Sequence, residues 1–240
     1  MGDYLEHVRA TAERNALEFT NWTLLRTALT HRSYLNEHPE LDWEDNERLE
    51  FLGDAVLDFL LAEYLFHQLP HAPEGELTAL RAALVRRETL AQFALELGLG
   101  QALFMGHGEA ETGGRDRLAT LCAGFEALIG ALYLDQGWEG VIGLALPLAA
   151  REFGAARAEV ADKDPKSRLQ ELAQSMVGVT PRYRTIRAEG PDHAKVFTVE
   201  VLLGDRAWGT GEGPSKQLAA QRAAAAALAH GSQWISLAET

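Results

Sequence analysis

The sequence predicts a multidomain protein in which an all-α domain is followed by a small α-β-β-β-α domain. Apolar residues recur at helical spacing through the first part of the chain, whereas over residues 196–203 they follow the period of two that is typical of a half-buried strand. Charge changes at a similar place. Residues 1–161 carry 12 Arg and no Lys against 26 acidic residues, and residues 162–240 carry 10 Lys and Arg against 9 acidic residues.

The composition is that of a globular chain with a sizeable core. The 240 residues are 47% hydrophobic and 24% charged, which excludes a disordered protein, a collagen and a disulfide miniprotein. The one cysteine, Cys122, cannot form an internal disulfide bond, and this suits the reducing cytoplasm. The first residues lack the pattern of a signal peptide, and no uninterrupted run of about 18 apolar residues exists. We therefore expect a cytoplasmic protein that is not in a membrane.

Two helices are the clearest elements of the first domain. Turn-forming residues interrupt the helical pattern at 70–75 and at 106–114, but neither break is long enough to separate domains. The apolar faces that define the two helices are Leu49, Leu52, Val56, Phe59 and Leu60 in one, and Leu121, Phe125, Leu128 and Leu132 in the other.

The second domain is predicted to begin after a linker. Residues 152–163 are small, polar and aperiodic, so the boundaries are placed at 1–151 for the first domain, 152–163 for the linker and 164–232 for the second domain. Asp164 and Pro165 are suited to the N-cap and first position of a helix. Three strands follow, and the alanine-rich stretch after Pro214 predicts a closing helix.

An acidic face is predicted on the helix that begins near Asn46. Glu47, Glu50 and Asp54 lie at i, i+3 and i+7 within about 60° of one another, and Asp58 extends the same arc. The opposite face of the helix is apolar, so we expect the helix and its acidic face to be largely buried. Buried carboxylates repel each other by about 4 kcal/mol per close pair, and a hard divalent cation such as Mg²⁺ or Mn²⁺ relieves that repulsion. The simpler interpretation is a solvated acidic face whose charges pair with neighbours such as Arg48.

The same residues resemble the signature of bacterial ribonuclease III. The matching motifs are His31-Arg-Ser33, NERLEFLGD at 46–54 and FEALIGALYLDQG at 125–137. The resemblance implies an all-helical endonuclease domain that forms a homodimer through the signature helix and cuts both strands of double-stranded RNA. It also implies products with 5′-phosphate and 3′-hydroxyl ends and a two-nucleotide 3′ overhang.

The resemblance also implies roles for individual acids. It assigns Glu50, Asp54 and Glu126 as ligands of Mg²⁺, with Mn²⁺ as a possible substitute, and it places Glu47 and Glu74 near the scissile strand. Asp54, Glu126, Glu47 and Glu74 together form the expected catalytic set. This chain departs from the family pattern at Ala123, where a fourth acidic ligand is usual, so we expect reduced metal affinity rather than loss of activity.

The second domain resembles a double-stranded RNA-binding domain in three blocks, 164–174, 190–201 and 209–228. Double-stranded RNA is read by shape through its shallow minor groove and its phosphates. The residues that the resemblance assigns to RNA binding are Gln170 and Gln174 for one minor groove, His193 for the next, and Lys216 with Gln217 for the phosphates between them. Gln217 replaces a second lysine, so we expect weaker and less salt-sensitive binding by this domain alone.

The resemblance to these families implies a Mg²⁺-dependent endoribonuclease that processes ribosomal RNA precursors and other structured transcripts. A net charge of −13 argues against a nucleic-acid partner only on average, because the second domain is slightly basic. Two alternatives remain. Ala123 favours a catalytically silent double-stranded RNA-binding protein, and an unrelated helical metal hydrolase acting on small phosphate compounds would leave the second domain unexplained.

Overall fold

The computed structural model describes residues 2–163, 165–191 and 195–230. It divides into two compact units, Met1–Arg157 and Ala158–Thr240. The division falls inside the segment predicted to be a linker, 152–163. The first unit is helical and the second contains a three-stranded sheet with a helix on either side of it in the chain, which confirms the predicted fold class.

The first unit is built from nine described helices and one short 3₁₀ turn at Gly114–Asp116. The helices are α1 (Gly2–Arg14), α2 (Trp22–Ala28), α3 (Arg32–Glu37), α4 (Glu47–Gln68), α5 (Glu74–Leu84), α6 (Arg87–Glu96), α7 (Leu99–Ala102), α8 (His107–Glu111) and α9 (Leu118–Lys163). Part of the Gly-rich break at 106–114 is therefore helical. It is held by the carboxylate of Glu37, which accepts hydrogen bonds from the backbone N–H groups of His107 and Gly108.

Helices α4 and α9 supply the centre of the core in the first unit. The predicted face of α9 is fully buried, with Leu121, Phe125, Leu128 and Leu132 each at most 1% exposed. The predicted face of α4 is correct except at one residue. Phe59 is 61% exposed and belongs to a second apolar face of α4 that points to solvent.

Helix α9 contains a break and extends beyond its predicted end. Gly137 has φ 67° and ψ −150°, so the helix is interrupted there, and Pro147 lies within the second segment. Residues 152–163, which the sequence predicts to be an aperiodic linker, are helical and form the last turns of α9. Their content of alanine, arginine and glutamate favours helix, which outweighs the single glycine at 154.

One stretch of α9, Leu118–Val160, is long and apolar enough to cross a membrane by length and composition alone. Its most apolar window has a mean hydropathy of 1.5, and 56% of that window is buried within the protein. Five acidic residues interrupt this stretch in the sequence: Glu126, Asp135, Glu139, Glu152 and Glu159. The burial of Phe125 and Leu128 identifies the helix as part of the core, and core helices commonly have this composition.

The second unit has the order α10 (Pro165–Val177), β1 (Arg182–Glu189), β2 (Val196–Leu203), β3 (Arg206–Gly213) and α11 (Lys216–Ala229). The sheet is antiparallel with strand order β1-β2-β3. The alternation predicted for β2 holds for Val199, Val201 and Leu203, which are buried against the helices, but Thr198 on the other face is buried as well. Helix α10 begins at Pro165 as expected, whereas its predicted cap, Asp164, lies outside the described residues.

Candidate active site

The acids of α4 and α9 are brought together where the two helices cross. At the crossing, a glycine of each helix lies against the backbone of the other helix. A Cβ atom placed on Gly53 of α4 would lie 1.7 Å from the backbone oxygen of Glu126. A Cβ atom on Gly130 of α9 would lie 2.3 Å from the backbone oxygen of Leu49. No side chain fits in either place, so the two backbones are in contact. The contact sets Glu126 beside the turns of α4 that carry the acidic face.

Three of the predicted ligands lie close enough to influence one another electrostatically. Burial raises the pKa of Glu50, and the carboxylates of Glu47 and Asp54 raise it further. Burial likewise raises the pKa of Glu126 to about 7, and the charges of Asp54 and Glu50 add to this effect. Carboxylates alter each other's pKa in this way only when they are close, so acids from two separate helices form one cluster.

The cluster is more open than the sequence predicts. Glu50 and Glu126 are half-buried, but Glu47 and Asp54 are exposed. The expectation of a largely buried acidic face is therefore wrong for these two residues, because α4 is an outer helix on this side and its buried face lies opposite. Asp58, which extends the arc, lies 3.7 Å from the guanidinium group of Arg81 and is paired there.

The remaining predicted acids, Glu47 and Glu74, have other contacts. Glu47 accepts a hydrogen bond from Arg32 at 3.0 Å in an exposed ion pair. Its negative charge also contributes to the raised pKa of Glu50. Glu74 lies in the first turn of α5 and accepts a hydrogen bond from the hydroxyl of Thr78. The contacts of the described residues do not bring Glu74 to the crossing of α4 and α9 within one chain.

The donor chemistry of the cluster fits a hard divalent cation. Glu50, Asp54 and Glu126 offer only carboxylate oxygens. Burial and, to a smaller extent, neighbouring carboxylates raise the pKa of Glu50 and of Glu126, and a bound cation would favour the ionised forms of both. Within 2–163, 165–191 and 195–230, however, no three acidic, histidine or cysteine side chains are already arranged as a metal-binding group. Ala123, one turn before Glu126, adds a methyl group to the half-buried wall of the site rather than a fourth carboxylate.

Cys122 is a neighbour of the site that the motifs did not indicate. Its thiol donates a hydrogen bond to the Glu126 carboxylate over 3.5 Å, and burial raises the pKa of the thiol to about 12. Cys122 and Glu126 are four residues apart on one helix, a spacing at which side chains are neighbours. That spacing is the signal through which the sequence could have revealed the contact.

The His31-Arg-Ser33 motif has a structural role in this protein. The ring nitrogen Nδ1 of His31 lies 2.7 Å from the hydroxyl oxygen of Ser33, and that oxygen accepts a hydrogen bond from the backbone N–H of Gly106. The backbone N–H of His31 also donates to the carbonyl of Phe104. The motif therefore ties the start of α3 to the segment that leads into α8.

The second unit presents its predicted RNA-binding residues on helix surfaces. Gln170 and Gln174 are exposed one turn apart on α10, and Lys216 and Gln217 are exposed in the first turn of α11. His193 lies outside the described residues. Lys216 also lies over the ring of Phe197, with 5.9 Å between Nζ and the ring centroid.

Glycines on β3 allow α11 to pack directly on the sheet. A Cβ atom on Gly209 would lie 2.3 Å from the carbonyl oxygen of Ala223, and one on Gly211 would lie 2.3 Å from the Ala223 nitrogen. Ala219 and Ala227 are fully buried in the same contact. These glycines are strand residues needed for close packing, and this contact fixes the helix whose first turn carries Lys216.

Comparison with known proteins matches both units. A family model described as Ribonuclease-III-like matches residues 21–145, and one described as double-stranded RNA binding motif matches residues 165–230. A protein named Ribonuclease 3 from Roseiflexus sp. (strain RS-1) is 49% identical over 90% of this chain and 92% of its own length. Ribonuclease 3 from Bacillus cytotoxicus is 46% identical over 94% of this chain and 91% of its own length.

Solved structures give the same result for the first unit. The nuclease domain of Ribonuclease III from Campylobacter jejuni, described for flexibility in a region involved in dimer formation, matches with a TM-score of 0.56 and 39% identity. The match covers 61% of this chain and 99% of that domain. A second structure of that nuclease domain matches with a TM-score of 0.54 and 40% identity, over 60% of this chain and 95% of that one. The helical unit with its acid cluster, the α-β-β-β-α unit and these matches show that this chain belongs to the ribonuclease III family.

Proposed function

We propose that this protein is an endoribonuclease that hydrolyses phosphodiester bonds in double-stranded RNA and leaves 5′-phosphate and 3′-hydroxyl ends. The observation that carries the proposal is the convergence of Glu50, Asp54 and Glu126 at the crossing of α4 and α9. The α-β-β-β-α unit supplies the surface that selects duplex RNA by shape. The family relationship extends the proposal to ribosomal RNA precursors and other structured transcripts as substrates, in the cytoplasm.

The three carboxylates would hold Mg²⁺. When bound, the ion supplies positive charge that favours ionisation of the attacking water and neutralises charge in the transition state. Glu126 supports this assignment because burial, with a contribution from the charges of Asp54 and Glu50, raises its pKa, and a bound cation would favour its ionised form. Glu50 and Asp54 lie four residues apart on α4 and so present their oxygens from one helix face. The backbone contact at Gly53 keeps that face at a fixed distance from Glu126.

A second copy of the chain is proposed as the partner along α4. Phe51, Phe59 and Phe66 are 81%, 61% and 66% exposed, and they lie within about 80° of one another on the helix. A stripe of three exposed phenylalanines on one helix is unusual for a monomer and favours a protein interface. The acidic face of α4 borders this stripe, so a homodimer formed through it would have an acid site at each edge of the interface.

The second unit is proposed to grip the duplex with two helices. Gln170 and Gln174 can donate to and accept from 2′-hydroxyl groups in a minor groove. Lys216 in the first turn of α11 would contact phosphates, which the positive end of that helix also attracts. From residue 162 onward the chain carries 10 Lys and Arg against 9 acidic residues, so this unit lacks the strong negative charge of the first.

The test is cleavage of an end-labelled RNA duplex in Mg²⁺ by the wild type and by Glu126→Gln. We expect Glu126→Gln to slow cleavage by more than about a hundredfold, the largest loss usual for residues that only support metal ligands, and to leave duplex binding intact. Glu139→Gln is the matched control, because Glu139 is an exposed acid on the same helix, and it is expected to cleave like the wild type. Unimpaired cleavage by Glu126→Gln would contradict the proposal.

The silent RNA-binding alternative, which rests on Ala123, is not favoured. Relatives that are 46–49% identical over nine tenths of the chain are named Ribonuclease 3. The decisive comparison is duplex cleavage in Mg²⁺ and in Mn²⁺ by the wild type and by Ala123→Asp. We expect cleavage by the wild type and a lower Mg²⁺ requirement for Ala123→Asp, since an added carboxylate strengthens the site. A duplex that survives with the wild type in both metals would revive the alternative.

A further inference from the structure

Arg87 lies beside the acid cluster and has no role in the mechanism proposed above. It is the first residue of α6, which packs on α9 through Phe93 and Phe125 with ring centroids 5.6 Å apart. Phe125 directly precedes Glu126, so this contact sets α6 next to the turn that carries the site. Burial raises the pKa of both Glu126 and Cys122, and the positive charge of Arg87 opposes each increase, as a nearby cation does.

The guanidinium group of Arg87 is available for a ligand. Its side chain is exposed, and among the residues that the structure describes it makes no hydrogen bond or ion pair. Other arginines near it are engaged: Arg86 donates to the hydroxyl of Thr89, and Arg81 pairs with Asp58. Arg87 is therefore a free cation at the edge of a cluster of carboxylates.

Helix stability does not account for this arginine. Arg87 occupies the first position of α6, where the helix dipole disfavours positive charge by about 0.3–1 kcal/mol. An uncharged polar residue at this place would suit the helix better. The cost is explained if the charge serves a ligand rather than the fold.

We propose that Arg87 contacts a backbone phosphate of the RNA strand that enters the acid site. The inference rests on the proposed function, since it takes double-stranded RNA as the ligand. Residues 1–161 carry 26 acidic residues against 12 arginines, so a phosphodiester approaching the cluster is repelled unless a local cation meets it. Arg87 supplies that charge, and its planar guanidinium group can donate two hydrogen bonds to one phosphate.

The test measures salt dependence of RNA binding together with cleavage. Binding of a fluorescent RNA duplex is titrated in EDTA at several KCl concentrations for the full-length wild type, Arg87→Gln and Arg87→Lys. Loss of one phosphate contact lowers the slope of log K against log salt by about one, which we expect for Arg87→Gln. Arg87→Lys is expected to keep the slope because it keeps the charge. In Mg²⁺, we expect Arg87→Gln to cleave at least about tenfold more slowly and Arg87→Lys to recover part of the rate.

Arg14→Gln is the matched control, since it removes the same charge from an exposed site elsewhere in the first unit. Arg14 lies near Gly98, beyond the other end of α6 from Arg87. Equal salt slopes for Arg87→Gln and Arg14→Gln would overturn the inference, as would Arg87→Gln cleavage within twofold of the control. If the wild type cleaves no duplex but Arg87→Gln still lowers the slope, the proposed function fails and the phosphate contact stands. Thermal melting is expected to show Arg87→Gln at least as stable as the wild type.

Discussion

The two units use glycine in the same way but gather different chemistry around it. In the first unit, Gly53 and Gly130 let α4 and α9 touch along their backbones. In the second unit, Gly209 and Gly211 let α11 lie directly on β3. At both contacts, a residue larger than glycine would collide with the backbone of the neighbouring helix. Each contact therefore fixes the position of that helix closely.

The difference lies in what surrounds each contact. At the crossing of α4 and α9, burial together with neighbouring carboxylates raises the pKa of Glu50 and of Glu126, so ionising these two groups costs free energy that a bound cation would offset. The contact of α11 with β3 buries alanine side chains and leaves the charged Lys216 exposed at its edge. In the first unit, the electrostatic cost of the acidic site lowers the stability of the fold. In the second unit, the ligand-binding side chains lie on the surface and do not lower stability.

The largest effect is expected from Gly53→Ala in the first unit. The added Cβ would lie 1.7 Å from the Glu126 backbone oxygen, so the helices must separate, and we expect a loss of about 3 kcal/mol or more in the free energy of unfolding. Urea unfolding of the full chain, followed by a probe in the first unit, measures it. The control is Gly143→Ala on α9, which meets open space and is expected to stabilise by about 0.5–1 kcal/mol. Equal stabilities for the two variants would refute the proposed backbone contact.

A glycine substitution in the second unit tests whether its backbone contact stabilises the fold as the contact in the first unit does. We expect Gly211→Ala to cost about 2 kcal/mol, because its Cβ would lie 2.3 Å from the Ala223 nitrogen and 2.4 Å from the Ala219 oxygen. Gly213→Ala serves as a graded control, since its nearest contact is 3.0 Å, and it is expected to cost about 1 kcal/mol. The readout is urea unfolding of the second unit. A larger loss of stability for Gly213→Ala than for Gly211→Ala would contradict the close packing of α11 on β3 at Gly211.

Neither glycine contact could be predicted from the sequence, although most of the fold could. The alternation in β2 and the apolar face of α9 were predicted because each element buries a face whose period is visible in its own residues. Close backbone contact depends instead on which two elements meet, and Gly53 and Gly130 are 77 residues apart. Phe59 was misplaced for a related reason, since periodicity does not distinguish a face that meets the core from one suited to another molecule.

The candidate site was predictable to a similar degree. The spacing of Glu50 and Asp54 places them on one helix face and could be seen without any known relative. Glu126 could be added only through resemblance to a family, because its distance in sequence hides its position in space. Cys122 was missed, since a hydrogen bond to Glu126 depends on the rotamers of both side chains.

An intermediate effect is expected from pH in the first unit. The pKa of Glu126 is about 7 in the folded protein and near 4.5 when unfolded, so between these values the folded state holds a proton that the unfolded state has released. Without metal, stability should therefore fall as pH rises from about 5 to 8, by about 1–2 kcal/mol once solvent screening is allowed for. Urea unfolding in EDTA at both pH values measures the fall.

Glu126→Gln is the control for this pH dependence. It removes the titrating group, so its stability should change less between pH 5 and 8 than that of the wild type, and at pH 8 it should be the more stable protein. Such a result would link the electrostatic cost to this one carboxyl group. A wild type whose metal-free stability is level across that range would show that the first unit carries no electrostatic cost at its site, and the contrast with the second unit would disappear.

The smallest effect on stability is expected from charges at the edge of the second unit. Lys216→Gln should lower the salt slope of duplex binding by about one while changing the free energy of unfolding by less than about 0.5 kcal/mol. Gln217→Lys should raise the slope by about one, because it adds a charge in the same exposed turn of α11. Arg206→Gln is the control, since Arg206 begins β3 and stacks on Trp208, 4.6 Å from the ring centroid.

These three variants test whether the RNA-binding side chains of the second unit also contribute to its stability. If the second unit carries its binding groups independently of its packing, the slopes change in opposite directions for Lys216→Gln and Gln217→Lys and stay constant for Arg206→Gln. A loss of stability in Lys216→Gln, measured by urea unfolding, would mean that its contact with Phe197 supports the sheet. The second unit would then resemble the first, because the charged side chain that binds the ligand would also contribute to the stability of the fold.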